Sequence, residues 1–155
     1  MKKLFTILGV VFAAIISIFI IAVAIFIPGA LKRNHEAVIY IQDAVPKIVT
    51  NWNSQELMDR ATPELLAAVK KNDELDRLFI MFKRLGSLKH LDQPEGTVVS
   101  STYTGTGTVT FGNYKTHAEF EKGEARIEIQ LRLVGDTWKI NGFRIFSDAL
   151  LPPKA

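Results

Sequence analysis

From Leu4 to Ile27 the chain reads LFTILGVVFAAIISIFIIAVAIFI, twenty-four residues without a charge. At a helical rise of ~1.5 Å per residue this run is roughly 36 Å long, enough to cross a hydrocarbon layer of about 30 Å with some tilt. A helix is the single-segment structure that satisfies its own backbone groups in lipid, so the run predicts a membrane-spanning helix. A cleaved signal is the competing reading, with Met1-Lys2-Lys3 as its basic lead and Ala22-Val23-Ala24 as its small-residue site. Signal cores are usually ~7–15 residues, and here the apolar run continues through Ile25-Phe26-Ile27. Pro28-Gly29 marks the expected exit and Lys32-Arg33-Asn34 a polar step, giving an anchor over 1–31 and one domain over 32–155.

Beyond the anchor the pattern takes a helical period. Val38, Ile41, Val45, Ile48, Val49 and Trp52 recur at threes and fours, which predicts an amphipathic helix from His35 to Trp52. Pro46 removes one backbone donor and predicts a kink or split there. Asn53 or Ser54 is placed to cap a short helix ending near Arg60. Thr62-Pro63-Glu64 combines a capping hydroxyl, a first-turn proline and an acid. Leu75, Leu78, Phe79 and Phe82 predict a further helix from about Asp73 to Leu85, capped by Asn72 and stopped by Gly86.

After Gly86 the period falls to two. Ile127, Ile129, Leu131 and Leu133 alternate with Arg126, Glu128, Gln130 and Arg132, and Ala118 and Phe120 alternate with His117, Glu119 and Glu121, which predicts strands with one buried face. Gly123 separates these two strands, and Gly135-Asp136 turns the chain toward Trp138. The Thr-rich stretch from about Thr97 to Phe111 reads as one strand bent at Gly105 and Gly107, with Gly112-Asn113 as its turn. Trp138 and Ile140 share one parity whereas Phe143 and Ile145 share the other, so a bulge is expected at Asn141-Gly142. Helices followed by an antiparallel meander make an α+β chain, with the sheet curled round the kinked first helix.

Composition narrows the function. Lys plus Arg is 19 against 16 for Asp plus Glu, a net charge of +3 spread along the chain, which gives no footprint for nucleic acid. With no cysteine there is no disulfide framework, thiol nucleophile or Cys-based zinc site. His35 and His90 read as isolated, with no ligand spacing to each other or to an acid, so neither a metal nor another cofactor is expected. Glu119, Glu121 and Glu128 carry the outward parity, as does His117, so no general acid or base is placed inside the core. Gly105-Thr106-Gly107 lacks the following helix that a phosphate loop needs. Basic residues flank both ends of the apolar run; the short Met1-Lys2-Lys3 tail favours an amino terminus in the cytoplasm and a domain outside it.

The helix with an aromatic end, the short helices after it, Leu85-Gly86-Ser87-Leu88, Phe120-Glu121-Lys122-Gly123-Glu124-Ala125 and Trp138-Lys139-Ile140-Asn141-Gly142-Phe143-Arg144-Ile145 together resemble the nuclear-transport-factor-2-like (cystatin-like) superfamily. Its bacterial membrane-anchored or secreted members are the nearest in pattern, and the resemblance spans roughly Asn34 to Asp148. It implies a cone-shaped domain of helices packed on a curved antiparallel sheet. It also implies a bacterial inner membrane setting with the domain periplasmic or otherwise extracytoplasmic. The superfamily hosts isomerases, dehydratases, ligand binders and assembly subunits, so fold alone does not select among them. The preferred expectation is a non-enzymatic, single-pass anchored domain for protein binding or self-association. One alternative is a carrier of a small apolar ligand, or an isomerase-like or dehydratase-like enzyme, with Tyr103, Phe120 and Trp138 lining the mouth of the cone. A secretion-apparatus subunit is the other. In the carrier reading Tyr103 shares parity with Val99, Val109 and Phe111 if no bulge intervenes.

Overall fold

The computed structural model describes residues 2–69, 74–105 and 107–151, and within the first helix the side chains of 2–11, 13, 22–28 and 30 lie outside the description. The chain divides into two units, Met1–His35 and Glu36–Ala155. Helix α1 is Lys2–Val49. Within the first unit it does not stop at Pro28-Gly29, as the sequence suggested, but passes through both. Proline there lacks only the donor for one carbonyl, and the strong helix formers Ala30, Leu31 and Lys32 follow at once. Among the described residues no helix is long and apolar enough to cross a membrane. The run Leu4–Ile27 falls largely on residues whose side chains lie outside the description.

The second unit is α+β. The α1 residues from Ala37 onward place Ala37, Ile41, Ala44, Val45, Ile48 and Val49 in the core, on the stripe the spacing predicts. Pro46 neither splits nor ends the helix, and its carbonyl still accepts from Thr50 N at 2.9 Å. Helix α2 is Ser54–Arg60, with Asn53 Oδ1 accepting from Gln55 N at 3.0 Å. Helix α3 is Pro63–Val69, its first turn closed by Leu65 N donating to Thr62 Oγ1 at 3.3 Å. Helix α4 is Glu74–Phe82 and continues as a 3-10 turn, Lys83–Leu85. Gly86 ends it at φ 80° as expected, while the proposed Asn72 cap lies outside the described residues. Leu78, assigned to the stripe, is 44% exposed, and the buried face is carried by Phe79 and Phe82.

Five strands follow: β1 Leu88–Leu91, β2 Glu95–Tyr103, β3 Gly107–Phe120, β4 Gly123–Val134 and β5 Thr137–Phe146. All the strand pairs are antiparallel, in the order β1-β3-β4-β5, with β2 also paired to β3. The bent Thr-rich strand is therefore a hairpin. Gly105, at φ 94°, lies in its turn and Gly107, at φ 80°, opens β3 just after it, because positive φ suits a chain reversal. Gly112-Asn113 is no turn and lies inside β3. A Cβ at position 112 would come within 2.8 Å of the Tyr114 ring, and one at Gly96 would stand 2.1 Å from the Asn113 carbonyl and 2.5 Å from that ring. Glycine is needed at both for close approach.

The bulge stands where the parity switch placed it: Gln130 pairs with Gly142 and Leu131 with Ile140, leaving Asn141 as the extra residue. Trp138, Ile140, Phe143 and Ile145 are thereby all registered opposite inward residues of β4.

The core is closed by aromatic packing at the end of α1. Trp52 adopts φ 49° just past the helix, a left-handed position that usually carries glycine, while Asn53 N donates to Ile48 O at 3.0 Å. Its ring stacks on Phe120 at 5.1 Å between centroids and also meets Phe82 at 5.6 Å and Phe79 at 6.4 Å. Its indole N–H donates to Gly86 O at 2.9 Å. The backbone cost of a left-handed tryptophan, ~1–2 kcal/mol, is outweighed by burial of so large a side chain.

Candidate functional site

Alternation sorts the strand residues between two faces. Along β3, Thr110, Gly112, Tyr114, Thr116, Ala118 and Phe120 are buried and the residues between Gly112 and Phe120 are exposed. On β4 the inward set is Ala125, Ile127, Ile129 and Leu131. Among the described residues the buried polar side chains are Thr62, Thr110 and Thr116. Thr62 Oγ1 donates to Asn141 Oδ1 at 3.1 Å, Thr110 and Ser100 share a hydroxyl bond of 2.8 Å, and Thr116 Oγ1 donates to Asp92 O at 2.7 Å. The inner face thus holds hydroxyls in structural bonds and no described carboxylate or imidazole.

Two buried donors, Tyr40 Oη and Trp138 Nε1, have no hydrogen-bond partner. Burial pushes the Tyr40 phenol up to about 12, with the Arg60 guanidinium opposing and Asp43 adding a smaller upward push. An unpaired buried donor costs about 1–3 kcal/mol.

The ionisable side chains gather on the outer face. His117 Nε2 lies 3.2 Å from Glu124 Oε2, in register with Arg126 across β4. His90 is not isolated from acids, since its Nε2 sits 3.1 Å from Asp92 Oδ1; two apart on extended backbone, the two side chains share a face. Arg132 reaches Glu64 on α3 at 2.5 Å, and hydrogen bonds from the Glu64 backbone amide and from Arg132 hold that carboxyl below its usual range. A polar relay runs from Thr62 through Asn141 to Gln130 Oε1 at 2.9 Å, and from Gln130 Nε2 to Asn113 Oδ1 at 3.2 Å. The bulge aims Asn141 into it.

Hollows among the described residues of this face include three. One of about 390 Å³ is bordered by Glu95, Asn113, Lys115, Glu128, Gln130 and Arg144. His117 and Arg126 border both of the others, of about 690 and 220 Å³. All three are open grooves lined with charges of both signs, and surface ion pairs of this kind contribute ~0–1 kcal/mol each. Among the described residues no three His, Asp or Glu side chains converge as a metal site.

The three residues expected to line a ligand mouth part company. Phe120 and Trp138 belong to the core, 4% and 6% exposed. Tyr103 is 56% exposed at the end of β2. None of the three borders any of these hollows. The β2–β3 register runs without a bulge from Glu95 to Tyr103, so the parity shared by Val99, Tyr103, Val109 and Phe111 holds. It lies on the face opposite Thr110 and Tyr114, where Phe111 also meets the Arg132 guanidinium at 5.9 Å. The sequence pattern does not single out that strip of apolar side chains on the outer face, because alternation assigns two faces without saying which one the helices cover. No family model, curated protein or solved structure matches the chain.

Proposed function

We propose that the chain is a single-pass membrane protein presenting a nuclear-transport-factor-2-like α+β domain outside the cytoplasm for non-enzymatic binding or assembly. One observation carries the anchor: consecutive apolar side chains on α1, Ile18, Phe19, Ile20 and Ile21, are each 59–68% exposed. At 100° per residue these four point all round the helix. A helix apolar on every side needs an apolar surround, which lipid supplies and water does not. One long helix and three short ones leading into an antiparallel meander, with Trp52 closing the core over Phe120, support the superfamily reading.

The binding role is supported by the inner face. Ketosteroid-isomerase-like chemistry needs a carboxylate or imidazole whose pKa is moved by burial inside the domain. The described inner face offers threonines already bonded and the Tyr114 phenol, which burial holds above its usual range.

Alkaline washing of membranes from cells making the full chain tests the anchor. The protein should stay with the bilayer, and Ile18→Lys with Ile21→Lys should release it, since each lysine at a helix centre costs ~2.5–3.5 kcal/mol of insertion. Release of the unaltered chain, or a mature amino terminus after Ala24, overturns the anchor. The binding role is tested by a chain beginning at Lys32 and exported by a cleavable signal: it should complement a deletion poorly, because tethering raises local concentration. Full complementation would favour a diffusible-substrate role.

A further inference from the structure

β4 pairs with β3 only from Phe111 onward, so the pairs Tyr103–Gly107 and Ser101–Val109 form a two-stranded arm with β4 beside neither. The other edge of β2 has no strand next to it among the described residues. A two-stranded arm is marginal in water by itself. Hydroxyl bonds Ser100–Thr110 and Thr102–Thr108, at 2.8 and 2.9 Å, tie one of its faces. The other carries Val99, Tyr103, Val109 and Phe111, with Val99 52% exposed.

Charge is what sets this arm apart. From Gly96 to Tyr114 there are nineteen residues without Asp, Glu, Lys, Arg or His, in a chain that is 23% charged. Edge strands are ordinarily guarded by lysine, proline or a bulge, and between Gly96 and Tyr103 β2 has none of these.

We propose that β2 is a dimerisation edge, pairing antiparallel with β2 of a second copy about a two-fold axis through Val99. This names the partner for the assembly reading above and rests on that reading for its use, while its geometry is independent of the anchor. Centred there, Thr97 faces Ser101 of the second copy and Gly96 faces Thr102. Glu95, the one charge on the strand, falls opposite Tyr103, so no like charges meet. A charged partner would find nothing complementary on the arm. A second copy offers matching hydroxyls, matching apolar positions and an edge with no strand beside it among the described residues, and two-fold symmetry makes each contact twice.

The chain has no native cysteine, so single cysteines report the contact cleanly. In the full chain in native membranes, Val99→Cys should form a disulfide dimer under mild oxidation at roughly five times or more the yield of Ile80→Cys, a more exposed control, because facing Cβ atoms on paired strands approach disulfide distance. A mixture of Thr97→Cys and Ser101→Cys copies should cross-link where either alone does not. Val99→Lys should leave the circular dichroism unchanged and convert the purified chain from dimer to monomer by light scattering.

Equal cross-linking of Val99→Cys and Ile80→Cys, or a dimer that survives Val99→Lys, overturns the proposal. So does a Tyr103→Trp fluorescence blue shift on phosphatidylcholine vesicles without cross-linking, which assigns the arm to a lipid surface. Alkaline extraction of the same samples separates the two readings: a monomer retained in the membrane removes the dimer alone, and a released dimer removes the anchor alone.

Discussion

The two ends of β3 share one backbone and meet opposite fates. From Tyr114 to Phe120 the strand has neighbours on both sides, and its inward residues Tyr114, Thr116, Ala118 and Phe120 are all at most 4% exposed. From Gly107 to Val109 it has β2 alone, and Gly107 and Thr108 are exposed. Sequence composition follows the same division: at the first end charged or ionisable residues, Lys115, His117 and Glu119, mark the solvent face, while at the second nothing marks it. Charge on alternate positions tells a strand which face to wet, and its absence leaves that face unmarked.

The largest way to test that division is to remove the side chain that secures the enclosed end. Trp52→Ala deletes the ring stacked on Phe120 and strands the Gly86 carbonyl. The expected loss is about 3–5 kcal/mol, the range for large core aromatics. Urea unfolding followed by fluorescence of Trp138 measures it; a loss under about 1 kcal/mol would mean that α4 and β3 hold together without it.

The joint between the two ends is tested by glycine. Gly96→Ala pushes a Cβ into the Asn113 carbonyl and should cost about 2–3 kcal/mol, because backbone has to move. Gly142→Ala is its contrast. Gly142 sits beside the bulge but has no positive φ, and its Cβ would meet only the Gln130 side chain, at 3.4 Å. Its expected effect is within ~0.5 kcal/mol, and a large loss would show that the bulge itself depends on glycine.

A modest gain rather than a loss is expected at neutral pH from Tyr40, on the helix that covers the enclosed end. Tyr40→Phe removes a buried hydroxyl without a partner and should raise stability by about 1 kcal/mol. Burial raises the folded phenol above its unfolded value of 10.0 to about 12, so the unfolded chain releases that proton first. Stability from this group is complete below pH 10 and falls as pH rises from 10 toward 12. Phenylalanine should remove that decline; an identical loss in both proteins would place its cause elsewhere.

Much of the second unit was legible because its side chains state their environment locally. Asn53, the Thr62-Pro63-Glu64 start and the Gly86 stop are signals that act within one turn of helix. The Asn141 bulge was readable because hydrophobic parity breaks when one residue is inserted. The strand β1 was missed because Leu88 and Leu91 are three apart and carry no period of two. The Thr-rich hairpin was read as one bent strand because threonine is acceptable in strand, turn and exposed face alike. Gly112 was read as a turn because glycine shows that side-chain space is lacking without saying what occupies it, and only the fold brings the Tyr114 ring there.

The sequence by itself determined the short helices, the strands β4 and β5 with the bulge at Asn141, and the parity of the strands, since periodicity, capping and charge alternation are properties of neighbours along the chain. It also determined the uncharged stretches, Leu4–Ile27 and Gly96–Tyr114. Which side of the sheet the helices cover, and therefore that Tyr103 stands outside while Phe120 and Trp138 are enclosed, was decided only by the tertiary structure. Both faces of a strand obey the same alternation, and one becomes interior only when residues distant in sequence, here those of α1 and the Trp52 cluster, arrive to bury it.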